Sequence, residues 1–539
     1  MGILEDSYFS GGLSSWSDKG TKGSFKFGSG LDIRKANDTL SCNQALVDEG
    51  IMGASHSSSS SVSQSSSQSP SASTSASMSP SNSPSASASP SASASKSASA
   101  SPSPSGSSSP SASQSHSLSP SEGLNNVFVD LIRFFVKCSD GNTYGFGNAG
   151  NIYRRYTDGY TRNVYKDPDG EIKGAEEKPS SGGKTYLQWA TGTKIMRKEI
   201  PGASDWSDVE VIYQNLTGTD WHTMKQVGGA NYICNGSLIA MVGYDDSITN
   251  EALNLIPGNI AKTLIERDGK AVIGTVKAWD LSRGVNAMID TEIPLCQVGE
   301  DGELFYADFV NSMPVKRFPG GGKVNPGGVA NEIDQVNIFS WEQDSLSWID
   351  KQTMGNMSLW GVFNADSGKN GVYTYGRKNK EQSFTLNLEY ALEVDEIGAI
   401  ANVEGTTIIS YRDGNDFGVK AVDSTTKAQG IWESLEFRAP IKSGSGYAMP
   451  EQPTSWKYAE VYMEALPSGA SVTFYYKMNK ADNWTLAYTA DGAESYSVTN
   501  GKKAVFRIGA EGDIYERKLV LTPSGNNSPE ISRIRTYFN

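Results

Sequence analysis

The stretch FVDLIRFFVKCSDGNTYGFGNAGNIYRRY, residues 128–156, alternates short apolar and aromatic runs with glycine-containing turns. Within it, Gly145-Phe-Gly147-Asn-Ala-Gly150 satisfies the G-x-G-x-x-G pattern of dinucleotide-binding loops. That pattern binds pyrophosphate only when a helix follows, because the helix N-terminus supplies the free amides. Residues 152–156 are instead aromatic and alternating, which is typical of a strand. We therefore expect strand, tight turn and strand, with the glycines allowing positive φ or close backbone approach.

Units of this kind recur with loose spacing from about residue 125 to residue 440. Each has a short apolar strand, a turn carrying DG, NG or TG, and a second strand with a polar end, as in TLIERDGKAVIGTVKAW and IGAIANVEGTTIISYRDGNDFGVKAV. Antiparallel sheets repeated radially in this way form a β-propeller. The sequence predicts a propeller of about seven blades over residues 122–440. An irregular structure of several sheets is the alternative.

The pattern changes near residue 440. A segment rich in Gly, Pro and Ser is followed by short alternating strands: KYAEVYMEA, SVTFYYKM, WTLAYTA, YSVTN, KAVFRIGA, ERKLVLTP and ISRIRTYF. Seven or eight strands in about 85 residues fit a compact sandwich. Residues 441–539 are therefore predicted to be a linker and a C-terminal β-sandwich.

Residues 55–121 form a tract of Ser, Ala and Pro with few apolar side chains. Such a segment cannot offset its ordering entropy by burial, so disorder is predicted. The 54 residues before it are too few and too glycine-rich for a core of their own. We expect residues 1–54 to supply strands that pack on the main body, with the tract as a long inserted loop. A plain linker between two domains is the alternative.

Composition excludes several classes of function. The formal net charge is −13 and no basic stripe occurs, which disfavours nucleic-acid binding. No apolar run of about 18 residues is present, so we expect no membrane insertion. The N-terminus resembles no secretory signal peptide. The cysteines are far apart and without C-x-x-C spacing, which predicts buried free thiols; they are Cys42, Cys138, Cys234 and Cys296.

Histidine usage limits catalytic and metal chemistry. Of His56, His116 and His222, the first two lie in the Ser/Ala/Pro tract. A zinc centre built on histidines is therefore disfavoured, and a Ser-His-Asp triad would have to use His222. No nucleophile motif lies beside it in TDWHTM. We expect a packing or surface histidine.

Two pairs of adjacent acids could serve a glycosidase on a propeller, Asp245-Asp246 and Asp395-Glu396. Adjacent residues of a strand point to opposite faces, so turn and capping roles are favoured for both pairs. Sugar rings could stack on exposed tryptophans, although blade packing is the favoured role for most of them. The candidates are Trp189, Trp206, Trp360 and Trp484.

Four segments resemble a family of uncharacterised virion proteins of tailed bacteriophages. They are DLIRFFVKCSDGNTYGFGNAGNIYRR, NEALNLIPGN, GVYTYGRKNKEQSFTLNLEY and the terminal SPEISRIRTYFN. The resemblance covers most of the chain outside the Ser/Ala/Pro tract, which is the main departure. It implies a propeller-like body followed by a sandwich, located on the virion. No catalytic motif comes with the family, so no catalytic, cofactor-binding or metal-binding residue is carried over.

The favoured function is thus a non-enzymatic virion protein of the tail or neck, acting in assembly or in contact with the host surface. Its expected partners are other virion proteins, in a homo-oligomeric or symmetric assembly, with a host-surface glycan as a further candidate. No cofactor is expected. One alternative is a propeller that binds or hydrolyses glycans, in which acids from different blades would meet at the channel mouth. Another is a cell-surface adhesin with a Ser-rich stalk.

Overall fold

The computed structural model describes most of the chain outside the Ser/Ala/Pro tract. Every element in the described part is a β-strand, so the predicted all-β class is confirmed. The predicted tract at 55–121 and the segment 439–453 lie outside the described residues. Apart from residues 268, 404 and 482, the described ranges are 2–9, 25–33, 39–48, 128–156, 161–218, 222–255, 260–275, 296–298, 304–308, 313–318, 352–354, 357–363, 369–376, 385–438 and 454–539.

Short strands precede the tract. They are β1 (Gly2–Asp6), β2 (Phe27–Ser29), β3 (Leu31–Asp32), β4 (Leu40–Cys42) and β5 (Gln44–Asp48).

The opening stretch forms the first propeller blade. Its strands are β6 (Ile132–Lys137), β7 (Thr143–Gly147), β8 (Asn151–Arg155) and β9 (Thr161–Lys166), paired antiparallel in chain order. The G-x-G-x-x-G pattern thus spans a strand, a turn and a strand, as predicted. Gly150 has φ +91°, and a Cβ on Gly147 would collide with the carboxylate of Asp130. The glycines serve the turn and the close packing of Asp130.

Six further blades follow in chain order. Blade 2 has β10 (Gly174–Pro179), β11 (Thr185–Ala190), β12 (Ile195–Glu199) and β13 (Glu210–Tyr213). Blade 3 has β14 (Met224–Val227), β15 (Ala230–Asn235), β16 (Leu238–Val242) and β17 (Ile248–Asn254). The described strands of blades 4 and 5 are β18 (Ala261–Arg267), β19 (Lys270–Thr275), β20 (Cys296–Val298), β21 (Leu304–Asp308) and β22 (Met313–Phe318).

The last two blades complete the ring. Blade 6 has β23 (Gln352–Met354), β24 (Met357–Val362), β25 (Gly371–Gly376) and β26 (Thr385–Ala391). Blade 7 has β27 (Glu396–Val403), β28 (Thr406–Asp413), β29 (Asp416–Lys427) and, as its outermost strand, β5. The first strand of each blade packs against the first strand of the next, and β27 packs against β6. The described strands therefore form a closed β-propeller of seven blades.

The C-terminal region is a two-layered β-sandwich. One layer contains β32 (Thr454–Met463), β35 (Lys503–Gly512) and β37 (Glu530–Phe538), extended by β1 and β4. The other contains β33 (Ser471–Met478), β36 (Ile514–Thr522), β30 (Gly430–Glu433) and β31 (Phe437–Arg438). The strand β34 (Thr485–Thr489) pairs with both β33 and β35 and so joins the layers.

Aromatic side chains fill the space between the layers. Trp456 stacks on Tyr515 with ring centroids 4.1 Å apart, and Phe474 stacks on Phe506 at 5.5 Å. The segment YSVTN, predicted as a further strand, makes only an isolated bridge between Tyr496 and Val472. Its Gly501 neighbour and the turn at 498–501 curl the chain before it can extend along a partner strand.

The sandwich and the propeller share one sheet. The N-terminal strand β2 pairs with β26 of blade 6 on one side and with β30 on the other, and β30 pairs with β36. Tyr373 and Leu388 of blade 6 belong to the same buried cluster as Trp456. Because β1 and β4 pair with β37 while β5 closes blade 7, the N-terminal strands join both parts of the molecule.

A buried carboxylate secures this junction. Glu389 of β26 is 6% exposed. Its Oε1 accepts a hydrogen bond from Asn43 at 2.8 Å, and its Oε2 accepts from Thr374 at 2.9 Å and Asn387 at 3.1 Å. Buried carboxylates are tolerated only when they are bonded in this way, so Glu389 fixes the position of the N-terminal segment against blade 6.

Candidate interaction face on the C-terminal sandwich

The outer side of one sandwich layer carries aromatic and charged side chains. Residues alternate between the two sides of a strand, so Trp456, Phe506 and Ile534 point inward while their neighbours point to solvent. We call this outer surface the tyrosine face. It consists of Ile3, Glu5, Tyr458, Glu460, Tyr462, Tyr488, Lys503, Arg507, Arg533, Arg535 and Tyr537.

Strand register places five of these residues in one line across the layer. Tyr488 lies opposite Arg507, Arg507 opposite Tyr458, Tyr458 opposite Tyr537, and Tyr537 opposite Ile3. Adjacent strands are about 4.8 Å apart, so the line is roughly 19 Å long. Its two ends are open to solvent, since Tyr488 is 49% and Ile3 54% exposed. The line is long enough to form the centre of a protein interface.

Charged groups around Tyr462 hold the face rigid. Glu460 accepts hydrogen bonds from Tyr462 at 2.6 Å and Tyr537 at 2.9 Å, and it pairs with Lys503 at 2.5 Å. Burial raises the pKa of Glu460, but these three bonds outweigh it and the pKa is lowered overall. Glu460 is therefore a fixed anion that aligns its neighbours.

The ring faces of these tyrosines are already occupied. Tyr458 and Tyr537 stack on each other, with centroids 4.5 Å apart and an angle of 22° between the rings. Cations surround the ring of Tyr462: Lys503 at 5.4 Å, Arg535 at 5.5 Å and Arg533 at 5.8 Å. A sugar ring needs a free aromatic face, so these three rings are poorly placed to stack on a glycan. The 49% exposed ring of Tyr488 is not covered by these contacts.

Arg507 is the one positively charged residue among the five in the line across the layer. It is exposed and donates to the carbonyl oxygen of Ala490 at 2.5 Å. Its charge interacts with that of Asp491, although no described acid lies within ion-pair distance of it. Arg535, in contrast, pairs with Glu5 at 2.5 Å. Arg507 is thus available for an acidic group of a partner.

The first pair of acids, Asp245-Asp246, has structural roles. Asp246 pairs with buried Lys178 at 2.6 Å and with Arg197 at 3.1 Å, both from blade 2. Burial raises the pKa of Asp246, but the bonds from Lys178, Ser180 and Arg197 lower it overall. Asp245 accepts from the backbone N–H and hydroxyl of Ser247 in its own turn. Asp245 therefore closes a turn, the role expected for it, and Asp246 fastens blade 3 to blade 2, a contact that the sequence did not indicate.

The second pair, Asp395-Glu396, lies where blade 7 meets blade 1. Glu396 pairs with Arg133 of β6 at 2.8 Å and with Arg412 at 3.2 Å, while Asp395 accepts from the N–H of Gly414 at 2.8 Å.

Hydrogen bonds and ion pairs of the same kind join blade 1 to blade 2 and blade 2 to blade 3. Glu177 of blade 2 accepts from the hydroxyl of Ser139, which follows β6, at 2.5 Å. Glu176 of blade 2 pairs with Lys225 of blade 3 at 3.2 Å. These acids of the innermost described strands therefore tie neighbouring blades together.

His222 is a packing residue between two blades. Its side chain is buried, with Nδ1 2.8 Å from the carbonyl oxygen of Cys234 and Nε2 3.0 Å from that of Gly192. Burial lowers the pKa of His222, and the two carbonyl oxygens offset this only in part. The ring bridges blade 3 and a turn of blade 2.

The tryptophans considered for sugar stacking are mostly internal. Trp189 and Trp206 are buried in the core of blades 1 and 2, and Trp189 donates to Asp167 at 2.7 Å. Trp484 is half-buried, with Lys477 4.7 Å and Lys518 5.6 Å from its ring centroid. The side chain of Trp360 lies outside the described part. Trp189 and Trp206 are therefore blade packing residues, not exposed platforms.

Cys42, Cys138 and Cys234 are buried thiols and not disulfides, as predicted; the side chain of Cys296 lies outside the described part. Burial raises the pKa of Cys138 far above its usual value. Within the described ranges, no group of three acidic, histidine or cysteine side chains is placed to hold a metal ion. No helix in these ranges is long and apolar enough to cross a membrane.

The sequence predicts the strands that carry this face, but not that their tyrosines, arginines and N-terminal neighbours lie side by side. The alternation in KAVFRIGA does put Lys503 and Arg507 on one side of a strand. Their neighbours Tyr488, Tyr458 and Ile3 come from three other strands, and that register cannot be read from any one segment.

No family model matches the chain, and no curated protein matches it either. Solved structures similar to it include virginiamycin B lyase from Staphylococcus aureus, with 12% identity, a TM-score of 0.34, and coverage of 56% of this chain and 98% of the lyase. The PQQ-bound aldose sugar dehydrogenase from Streptomyces coelicolor has 12% identity and a TM-score of 0.34, covering 55% and 96%. The extracellular domain of a putative hybrid two-component system from B. thetaiotaomicron has 10% identity and a TM-score of 0.37, covering 74% and 55%. Identities this low transfer no activity.

Proposed function

We propose that the protein is a non-enzymatic structural component of a tailed-bacteriophage virion, associated with the tail or neck. It works in assembly or in host-surface contact, and the tyrosine face is its attachment surface. The observation that carries this proposal is the exposed line from Tyr488 through Arg507 to Ile3. Tyrosine and arginine are the residues enriched at protein interfaces and at their energetic centres.

The architecture supports a load-bearing role. A sandwich attached by a flexible linker would move independently of the propeller, but here β2 pairs with strands of both parts. A force or a docking event on the tyrosine face is therefore transmitted directly to blade 6. Assembly proteins need such rigidity, because each flexible joint adds an ordering cost to binding.

The paired acids of the propeller also favour a structural role over a hydrolytic one. A glycosidase needs one carboxyl group to give a proton and a second to act as base or nucleophile. Glu396, Glu176 and Glu177 are each bonded to a neighbouring blade. Their bonds stabilise the ring of blades, which is the task of a structural body.

The test is incorporation into particles. Phage carrying the double variant Ile3→Ser, Tyr488→Ser should lose the protein from purified virions, measured by quantitative mass spectrometry. The matched control is Val498→Ser, which removes a 58% exposed apolar side chain of the same sandwich outside the tyrosine face. Absence of the wild-type protein from virions would refute the virion role. Normal incorporation of the double variant would refute the assignment of the face.

A further inference from the structure

A second exposed surface of this chain has the opposite charge to the tyrosine face. It lies at one end of blade 7, where the turn between β28 and β29 approaches the residue before β27, with Gly414 bonded to Asp395. Asp395, Asp413 and Asp416 are all exposed there. We call these three residues the acidic rim. Asp395 pairs with Arg412 at 3.8 Å. Asp413 and Asp416 form no ion pair with another described residue, so the charges of these two face solvent.

The tyrosine face has a positive net charge, although the protein as a whole has a negative one. It holds four basic side chains (Lys503, Arg507, Arg533, Arg535) and two acidic ones (Glu5, Glu460), which gives a net charge of +2. The whole chain carries −13. Glu5 and Glu460 are both neutralised within the face by Arg535 and Lys503. The surplus therefore lies on Arg507 and Arg533, and Arg507 lies between Tyr488 and Tyr458 in the line.

Resting on the proposed function, we propose that the tyrosine face of one copy docks the acidic rim of a second copy of this chain, head to tail. Charge complementarity selects this arrangement, because opposite potentials steer association and like charges across an interface are costly. A symmetric pairing of two tyrosine faces would bring together two surfaces that each carry a net charge of +2. Docking between two different surfaces of identical chains is a heterologous contact. Repeated from copy to copy, it builds a closed ring when the rotation between neighbouring copies divides a full turn. Tail and neck components that form rings would use such a contact.

Charged and aromatic residues have different roles in the proposed contact. Arg507 and Lys503 meet the rim carboxylates, and the stacked pair Tyr458–Tyr537 with Tyr488 excludes water around them. Arginine forms paired, directional hydrogen bonds with carboxylates, so it sets register as well as attraction.

Charge exchange between two variants tests the proposal on the full-length protein. The face variant carries Lys503→Glu and Arg507→Glu, and the rim variant carries Asp413→Lys and Asp416→Lys. Sedimentation velocity in low salt should show assemblies for the wild type and at least a tenfold weaker self-association for each variant alone. An equimolar mixture should assemble again, because the reversed face now complements the reversed rim.

The matched control reverses two cations at the other layer of the sandwich, Lys477→Glu and Lys480→Glu, and should self-associate like the wild type. Circular dichroism checks that each variant is folded, and recovery in the mixture excludes misfolding as the cause of loss. A monomeric wild type at all concentrations would overturn the proposal. Reversed variants that still assemble singly, or a mixture that does not recover, would overturn it too. Either result leaves the virion incorporation test standing on its own.

Discussion

At the scale of single residues, burial decides what the chemically active side chains do. The lone histidine of the described region is buried between two carbonyl oxygens, and the acids considered for catalysis are held by neighbouring cations. For His222, Asp246 and Glu396, at least one bonding partner comes from another blade. These residues therefore connect blades, and their titration should report on stability.

Replacing His222 with Gln should reduce the pH dependence of stability. Burial holds the pKa of His222 below its usual value in the folded state, while the unfolded chain titrates near 6.5. Below pH 6.5 the unfolded state therefore binds more protons, so the wild type loses stability as the pH falls. Urea unfolding at pH 7.5 and pH 5 measures the difference for both proteins.

The control is His56→Gln in the Ser/Ala/Pro tract, which should leave the pH dependence as in the wild type. An equal loss of stability between pH 7.5 and pH 5 in wild type and His222→Gln would contradict the expectation.

Gly147→Ala should destabilise the protein by about 1–3 kcal/mol, because the added methyl group collides with the carboxylate of Asp130. That carboxylate accepts from Tyr153 at 2.5 Å and Asn151 at 3.0 Å, so it has little freedom to move. Gly192→Ala is the control, since nothing lies within 4 Å of its new Cβ. Equal urea midpoints for the two variants would disprove the packing role of Gly147.

At the scale of elements, pairing between strands distant in sequence shapes the fold. Local turn signals such as DG and NG predicted the blade hairpins, and the alternation in SVTFYYKM predicted β33 with its bounds. β5 and β2 could not be predicted in the same way. Each is only three to five residues long, and the partners of both lie more than 350 residues away. A short strand carries too little pattern to reveal which distant edge it completes.

Two tryptophans of the sandwich should separate core packing from surface contact. Trp456→Ala should cost about 3–5 kcal/mol, because its ring is buried and stacked on Tyr515. Trp484→Ala should cost no more than about 1 kcal/mol, because its half-buried ring contacts chiefly the two lysines above it. Thermal unfolding of both variants provides the measurement. A Trp484 variant as unstable as the Trp456 variant would show that Trp484 contributes as much to core packing as Trp456 does.

At the scale of the whole molecule, the shared sheet makes propeller and sandwich one cooperative body. The cluster containing Trp456 includes residues of blade 6, and β30 pairs with β36 of the sandwich on one side and with β2 on the other. Removing the sandwich would uncover that cluster. The sandwich already begins with β30 at Gly430, before the composition change near residue 440. A cut at residue 440 would therefore separate strands of the same sheet.

Deleting residues 60–110 should raise the free energy of unfolding by only about 1 kcal/mol and leave a single calorimetric transition. The deletion shortens the connection between Asp48 and Phe128 from 79 residues to 28. Loop closure costs about 0.6 kcal/mol for each doubling of loop length, so the tract lowers the free energy of unfolding only slightly. Two separate transitions, or a loss of several kcal/mol, would show that the tract contributes to the folded body.

The pairing of β1 with β37 also determines when folding can be completed during translation. β37 leaves the ribosome about 520 residues after β1. At roughly 5–20 residues per second, the N-terminal strand waits about 25–100 s for its partner. During that interval β1 is an unpaired edge on a nascent chain, which chaperones or neighbouring ribosomes can meet first. The partners of β2 and β5 are synthesised earlier than β37. Maturation of this protein is therefore completed only after translation of its final strand.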